Sequence, residues 1–439
     1  MTAQRRRLGV VGTGYVGLTT GACFAHLGHT VVCGDIDERK VDLLNGGEIP
    51  IVEEGLERIV NDSREAGRLS FVLGSQAAAR DADIVFLCVP TPQGEDGSAD
   101  LSYIEQAARE IGPVLKPGAV VVNKSTVPVG STIAVEQVLE RDDVSVVSNP
   151  EFLREGTAVH DFLTPDRVVV GAADRAAAER VAELYDGIET AVIITDPSSA
   201  ETIKYAANGF LAMKISFVNA VAAMCEHVGA DVAAVVDGIG SDTRIGRRFL
   251  NPGPGWGGSC FPKDSRALVK IAEDHGYDFS MMRGVISVND EQRRRMVDKV
   301  AKAVGRHQSD LSGVRVGVLG LTFKAGTDDL RESPSMAIIG ELRKVGATVK
   351  AYDPTTTGEL DPHRAGRLAG VELLDEALAV ADDVDVVCLL TEWPEFAELD
   401  LAELAARAGG DLPIVDTRNL LDPAEVRRAG LRYDGVGRR

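Results

Sequence analysis

At 439 residues with 44% hydrophobic content, the chain is long enough for roughly two to four domains with ordinary cores. Its 67 acidic side chains outnumber 47 Lys and Arg, a formal net charge of −20, which excludes the basic face of a general nucleic-acid or membrane-surface binder. No apolar run approaches the ~18 residues of a bilayer span and no secretion signal opens the chain, so a cytoplasmic protein is expected.

The first apolar run, RLGVVG (7–12), reads as a strand closing on glycine. A small-residue helix from Tyr15 to Leu27 and a second strand in HTVVCGDID follow. Further strands are read in ADIVFLCVP (82–90), AVVVNKST (119–126), VSVVSNP (144–150) and DRVVVG (166–171), with helical patterning between them, as from Leu101 to Leu115. This alternation implies a doubly wound, mostly parallel sheet. From Ser198 the pattern changes to a long Ala-rich helix, SAETIKYAANGFLAMKISFVNAVAAMCEHVG, which opens an all-helical stretch interrupted by NPGPGWGG. At Val314 strands return in VRVGVLGLTF, ATVKAYDP, GVELL, DVDVVCLLTEW and LPIVDTRN. The expected fold class is α/β, with two Rossmann-like doubly wound lobes joined by a central helical domain with a long connecting helix. The expected boundaries are 1–197, 198–305 and 312–439. Two such lobes invite one ligand each, with chemistry between them.

GTGYVG, Gly12 to Gly17, lies between a strand and a helix. Its glycines permit a tight turn and the close approach of a pyrophosphate to free amides at the helix N-terminus. Asp35 ends the second strand eighteen residues beyond Gly17. A carboxylate there can accept both ribose hydroxyls and repel a 2′-phosphate, which favours NAD over NADP, with Arg39 and Lys40 leaving NADP barely open. CVPTP (88–92) and NKSTVPVG (123–130) end strands, so Thr91 and Thr126 either line the cofactor crevice or cap turns. NPEFLREG (149–156) sets Glu151 and Glu155 four apart, on one face if the segment is helical. Paired carboxylates there can do general-base work, or can mark a charged helix start on the surface. KYAAN places Lys204 and Asn208 on one helix face, where they can stabilise an oxyanion or the lysine can snorkel from a helix edge.

Six cysteines (23, 33, 88, 225, 260, 388) are dispersed without CxxC or a Cys/His cluster. Neither a disulfide framework nor a metal site is expected. Only Cys260, in GPGWGGSCFPKD (253–264), has a glycine-rich, charged setting, with Lys263 and Asp264 following on the first turn of a helix. A thiol so placed has more thiolate and is a nucleophile candidate; a small structural thiol is the alternative. In TFKAGTDDLRES (322–333) Lys324 and Arg331 flank two aspartates, a loop that either holds an anionic substrate or is a solvated charge cluster.

Taken in order, GTGYVGL, CVPTP, KSTVPVG, NPEFLREG, PDRVVVG, KYAAN, RIGRRFLNPGPGWGGSCFPKD, LGLTFKAGTDDLRESP, TEWPEF and DTRNLLDP resemble the nucleotide-sugar dehydrogenase family end to end, and within it the UDP-glucose 6-dehydrogenases. The resemblance implies an NAD-binding Rossmann domain, a helical middle bearing the dimer interface, and a Rossmann-like UDP-binding domain. It also implies removal of four electrons from C6 of a nucleotide sugar by two NAD in turn, giving a uronate. Cys260 would be the nucleophile, holding a thiohemiacetal and then a thioester that water hydrolyses. Lys204 and Asn208 would stabilise the oxyanion. Asp264 with Thr126 would handle the proton or an ordered water, and Glu155, with Glu151 at the same wall, would assist hydrolysis.

By the same resemblance Gly12, Gly14, Val16, Gly17, Asp35, Lys40, Thr91, Thr126, Glu155, Lys263 and Arg331 would surround NAD. Glu151, Phe152, Leu153, Arg154, Glu155, Lys204, Asn208, Phe249, Leu250, Asn251, Pro252, Gly253, Gly257 and Lys324 would contact the UDP-sugar. Arg244 would reach the neighbouring subunit's substrate in a homodimer or higher homo-oligomer. Several elements also fit GDP-mannose dehydrogenases, whereas RIGRRFLNPGPGWGG, PDRVVVG, TEWPEF and DTRNLLDP resemble the UDP-glucose branch. Trp256 stands where Tyr or Phe is usual and would keep an aromatic wall. Two rivals are a two-electron hydroxy-acid dehydrogenase with a structural Cys260, and a non-enzymatic nucleotide-sugar or NAD sensor. A sensor has no need of Cys260, Lys204, Asn208 and Asp264 together.

Overall fold

The apolar runs become strands buried on both faces. The computed structural model describes residues 5–94, 98–358, 360 and 362–438. Its first sheet comprises β1 (Arg7–Val11), β2 (Thr30–Asp35), β3 (Leu69–Leu73), β4 (Ile84–Leu87), β5 (Val120–Asn123), β6 (Ser145–Ser148), β7 (Arg167–Ala172) and β8 (Ala191–Thr195). The order is β3-β2-β1-β4-β5-β6-β7-β8, parallel throughout except where β7 runs against β6. The second comprises β9 (Arg315–Leu319), β10 (Thr348–Tyr352), β11 (Glu372–Leu373), β12 (Val386–Leu389), β13 (Pro413–Asp416) and β14 (Arg432–Gly435), all parallel in the order β11-β10-β9-β12-β13-β14. Both sheets therefore reverse their winding beside their first strand, and the crevice at the carboxyl ends of β1 and β4, or of β9 and β12, is where such sheets take ligands.

Successive residues of a central strand feed opposite cores. Ile84 and Phe86 pack into one cluster and Val85 and Leu87 into another; in the second sheet Val386 and Cys388 part from Val387 and Leu389 in the same way. Burial on both faces is why these strands read as unbroken apolar runs. Three strands escape that reading: β3, β8 and β14. All are sheet edges with exposed or half-buried positions, without the two-sided burial that marks the central strands.

The chain divides into two compact units, residues 1–207 with 266–277 and residues 208–265 with 278–439. Residues 197–303 hold four long or short helices, Pro197–Val228, Val232–Gly240, Phe261–Asp274 and Ser280–Ala303, and no strand. By length and a mean hydropathy of 1.3 the helix Pro197–Val228 would suffice to cross a membrane. Its buried polar side chains Glu201, Lys204, Asn208, Ser216 and Asn219 are instead hydrogen-bonded within the protein, as in a core helix.

Candidate active site

The turn after β1 is built for close approach. Gly12 adopts φ 94°, and a Cβ on Gly17 would lie 1.9 Å from the Gly12 carbonyl oxygen, so only glycine lets the helix Tyr15–His26 start against β1. Gly14 precedes that helix and has open space where a Cβ would stand, leaving the first-turn amides approachable by a pyrophosphate. Val16 is half-buried against the core. Asp35 ends β2 with Oδ2 accepting from Thr13 N at 2.8 Å and Thr13 Oγ1 at 2.6 Å, and Oδ1 accepting from Asp37 N at 3.0 Å. Burial works to raise its pKa, but the Thr13 and Asp37 hydrogen bonds and Lys40, 3.6 Å away, hold it below the usual carboxylate range. An ionised carboxylate with a lone pair still unused on Oδ1 suits a ribose hydroxyl of NAD. Thr91 and Thr126 lie buried just past the carboxyl ends of β4 and β5, beside the same crevice.

The segment after β6 departs from one expectation. Glu151 and Glu155 do not share a helix face, because residues 150–154 are not helical. The backbone donors go elsewhere: Asn149 N extends the ladder to Asn123 O at 2.9 Å, Pro150 has none to give, and Leu153 N donates to Glu151 Oε2 at 2.6 Å. Gly156 N donates to Tyr15 OH and to Glu53 Oε2, each at 2.7 Å. The bend turns Glu151 inward, 5% exposed, while Glu155 stays half-buried in the following turn. Lys204, 3% exposed, donates to Glu151 Oε1 at 2.8 Å and to the Glu151 carbonyl at 2.7 Å. Burial opposes ionisation of Glu151, yet the charge and hydrogen bond of Lys204 and the Leu153 amide keep it below the usual carboxylate range. Phe152 carries the Arg167 guanidinium 3.6 Å from its ring centroid and the Lys204 ammonium at 5.4 Å. Arg154 is engaged by Asp161 through Nε at 2.9 Å and Nη2 at 2.6 Å.

Four residues on in the same helix, Asn208 donates to Asp264 Oδ2 at 2.6 Å, and Lys263 donates to Asp264 Oδ1 at 2.7 Å. Asp264 is fully buried and its amide closes the first helical turn onto the Cys260 carbonyl at 2.9 Å. Cys260 immediately precedes the helix Phe261–Asp274, where the dipole and free amides favour a thiolate. Of the six thiols it alone is not buried; burial pushes those of Cys23, Cys88 and Cys388 up to about 12. Its loop is held by side chains the sequence reading did not single out. Asn219 Oδ1 accepts from Gly253 N at 2.8 Å, Gln292 donates to Gly253 O at 2.7 Å, and Asn289 accepts from Trp256 N at 2.8 Å. Trp256 is 5% exposed and its indole N–H donates to Ser216 at 2.9 Å. It therefore anchors the loop through a buried aromatic side chain. Gly257 abuts the second lobe's loop so closely that a Cβ would stand 2.1 Å from the Glu332 carbonyl oxygen.

The other expected ligand residues spread over the same unit. Phe249 (φ 63°) and Leu250, Asn251, Pro252 and Gly253 run into the cysteine loop; the Leu250 side chain is sealed in the core, which leaves its backbone for a ligand. Lys324 stands half-buried, 5.6 Å from the Phe323 ring centroid. Arg331 is paired with Asp329 and the exposed Arg244 with Asp242, each at 2.6 Å. The supporting polar residues Asn219, Asn289 and Gln292 had a faint signal: each is a buried amide inside an amphipathic helix.

Three parts of the chain match the UDP-glucose/GDP-mannose dehydrogenase family: its NAD binding domain over residues 6–189, its central domain over 198–291 and its UDP binding domain over 317–423. A UDP-glucose 6-dehydrogenase of Bacillus subtilis (strain 168) is 44% identical over 99% of this chain and 93% of its own length. One of Rhizobium meliloti (strain 1021) is also 44% identical, over 98% of this chain and 99% of its own. The solved UDP-glucose dehydrogenase of Pyrobaculum islandicum superposes with a TM-score of 0.91 at 37% identity, covering 100% of this chain and 99% of that one.

Proposed function

The chain belongs to the UDP-glucose/GDP-mannose dehydrogenase family, and from that premise we propose that it oxidises C6 of UDP-glucose to a carboxylate, giving UDP-glucuronate with NAD as electron acceptor. The observation that carries the chemistry is Cys260, the one thiol of six left unburied, at the head of a helix beside Asn208 and Asp264. Alcohol-to-aldehyde oxidation needs no nucleophile, whereas passage to the acid does. NAD, held by the Gly12–Gly17 turn, Asp35, Thr91 and Thr126, supplies the hydride acceptor for both oxidations.

Cys260 bonds through Sγ to C6 of the aldehyde and holds it as a thiohemiacetal, then as a thioester after the second two-electron loss. Water opens the thioester, releasing the carboxylate and regenerating the thiol. Lys204 and Asn208 each offer an N–H donor to the developing oxyanion. Asp264 and Thr126 carry the proton or orient water, and Glu155 assists the hydrolysis. The Phe249–Gly253 segment, Gly257 and Lys324 hold the nucleotide sugar.

The division 1–197, 198–305 and 312–439 assigns these tasks to an NAD domain, a central domain and a UDP domain. A homodimer through the central domain is part of this proposal, supported by Phe210, Phe217, Met224 and Val228, a stripe at near-heptad spacing whose members are 55% to 69% exposed; Arg244 would then serve the partner's substrate. A cytoplasmic location is proposed with it, since the helix Pro197–Val228 keeps its buried polar side chains hydrogen-bonded within the protein.

NADH formation measured over UDP-glucose, GDP-mannose and UDP-N-acetylmannosamine, with product mass, tests the reading. Two NADH per UDP-glucose are expected, and Cys260→Ser should lose uronate formation by roughly a thousandfold or more. Full uronate turnover by that variant would sink the nucleophile role, and preference for GDP-mannose would move the chain to the other branch.

A further inference from the structure

A second buried cation sits under the Asn149–Glu151 bend, and none of the chemistry above uses it. Lys124 follows β5 and is 4% exposed. Its Nζ donates to Asn149 Oδ1 and to Tyr185 OH, both at 3.1 Å, and lies 5.7 Å from the Tyr185 ring centroid. Tyr185 OH donates to the same Asn149 Oδ1 at 2.7 Å, and Asn149 Nδ2 donates to Val169 O on β7 at 2.7 Å. Lys204 has a carboxylate partner; among the described residues Lys124 has only these neutral hydrogen-bond partners. Burying an ammonium without a directly paired carboxylate costs several kcal/mol, so an apolar residue would be the stabler filler.

The field of Lys124 falls on Glu151. The groups facing this carboxylate are Lys204 from the helix Pro197–Val228, Lys124 from the end of β5, and the Leu153 amide of its own segment. The Cys88 thiol beyond β4 feels Lys124 and Glu151 in opposite senses. The Arg167 guanidinium, 3.6 Å from the Phe152 ring centroid, lines the same cavity as Glu151 and Lys124. Lys124 works on Glu151 in the same direction as Lys204, against burial.

We propose that Lys124 is a positioning residue for the oxidation proposed above: its buried ammonium lines the same cavity as Glu151, and the Tyr185–Asn149–Lys124 hydrogen bonds fix the bend that delivers Glu151 to Lys204. It touches neither sugar nor cofactor. The inference rests on the dehydrogenase reading, and the two fail separately. Absence of NADH from the unaltered protein with UDP-glucose sinks the reading; only the variants bear on Lys124.

The test compares Lys124→Met, Lys124→Arg and Tyr185→Phe by kcat, KM and NAD affinity over roughly pH 5 to 9. Lys124→Met should lower kcat about 10- to 100-fold near neutrality, move the acid limb of the kcat profile up by about one pH unit, and leave NAD affinity within about threefold. Lys124→Arg should restore the limb. Tyr185→Phe keeps the charge, and should cost a few-fold in kcat with the limb unmoved, which preserves the test if Lys124→Met does not fold. Combining Lys124→Met with Glu151→Gln should cost no more than Glu151→Gln alone. An unmoved limb in Lys124→Met, or equal losses in the Met and Arg variants at every pH, would overturn the assignment in favour of simple packing.

Discussion

The two sheets begin alike and part at one turn. Gly12 after β1 has φ 94° and Gly320 after β9 has φ 92°, and each amide donates at 2.8 Å to the carbonyl of the residue before an aspartate, Gly34 before Asp35 and Tyr352 before Asp353. Beyond the glycine, the first lobe starts its helix at Tyr15, while the second delays it to Pro334 with an irregular loop between. Asp35 accepts three hydrogen bonds and keeps an edge toward solvent, 9% exposed. Asp353 is sealed: Leu321 N, Thr322 N, Thr322 Oγ1 and Trp393 Nε1 fill Oδ2 while Thr355 N and Oγ1 fill Oδ1. One strand order thus yields a dinucleotide crevice only where a helix N-terminus and a carboxylate with a spare lone pair coincide. In the second lobe the same aspartate has become a structural pin for the loop that carries Lys324 and Arg331.

Gly17→Val is the most severe way to break the contrast. Its Cβ would stand 1.9 Å from the Gly12 carbonyl oxygen, so the turn cannot survive, and NAD affinity should fall by roughly a hundredfold or more with about 3 kcal/mol of destabilisation. Isothermal calorimetry and a denaturant melt would check it; near-normal NAD binding would show that the glycine turn is not the cofactor cradle.

A matched pair of isosteric changes sharpens it. Asp35→Asn should raise the NAD dissociation constant about 10- to 50-fold and cost about 1 kcal/mol of stability, because a donor now faces the ribose and the Asp37 amide. Asp353→Asn should leave NAD affinity alone and destabilise the second unit by roughly 2 to 3 kcal/mol, since an amide nitrogen would confront backbone donors in a sealed site. If the two effects came out reversed, the functional division between the lobes would be wrong.

How much of this the residues announce depends on distance along the chain. The glycine turn, Asp35 and Cys260 are legible because their chemistry is local: a φ above zero, a strand end, a helix start. The central strands are legible because burial on both faces leaves an unbroken apolar run. What holds Cys260's loop is not local at all. Trp256 meets Ser216 and Asn289 across 40 and 33 positions, and Lys124 meets Tyr185 across 61. The non-helical path after β6 was likewise hidden, since Glu53, 103 positions from Gly156, is one of the acceptors that draw its amide away from helical pairing. Polar partners that distant are set by the fold, and residue type alone does not name them.

The smallest expected effect concerns acid and the first unit's own carboxylates. Asp35 and Glu151 are held below the usual carboxylate range by hydrogen bonds and lysines that outweigh their burial. Their contribution is present above the unfolded carboxylate pKa and is lost as pH falls through the lowered folded values. Glu201 is the reverse case: burial raises it despite the hydrogen bonds it accepts from Gly130 N, Thr132 N and Thr132 Oγ1. Between its unfolded and raised folded values the native state binds more protons, so stability falls there as pH rises. The windows lie on opposite sides of the ordinary carboxylate range. Stability of the first unit should therefore pass through a shallow maximum near that range and decline above it. Glu201→Gln should flatten that decline and leave the acid side unchanged. Melting temperature followed against pH in both proteins checks this, and a decline equally steep in the variant would assign the effect to another group.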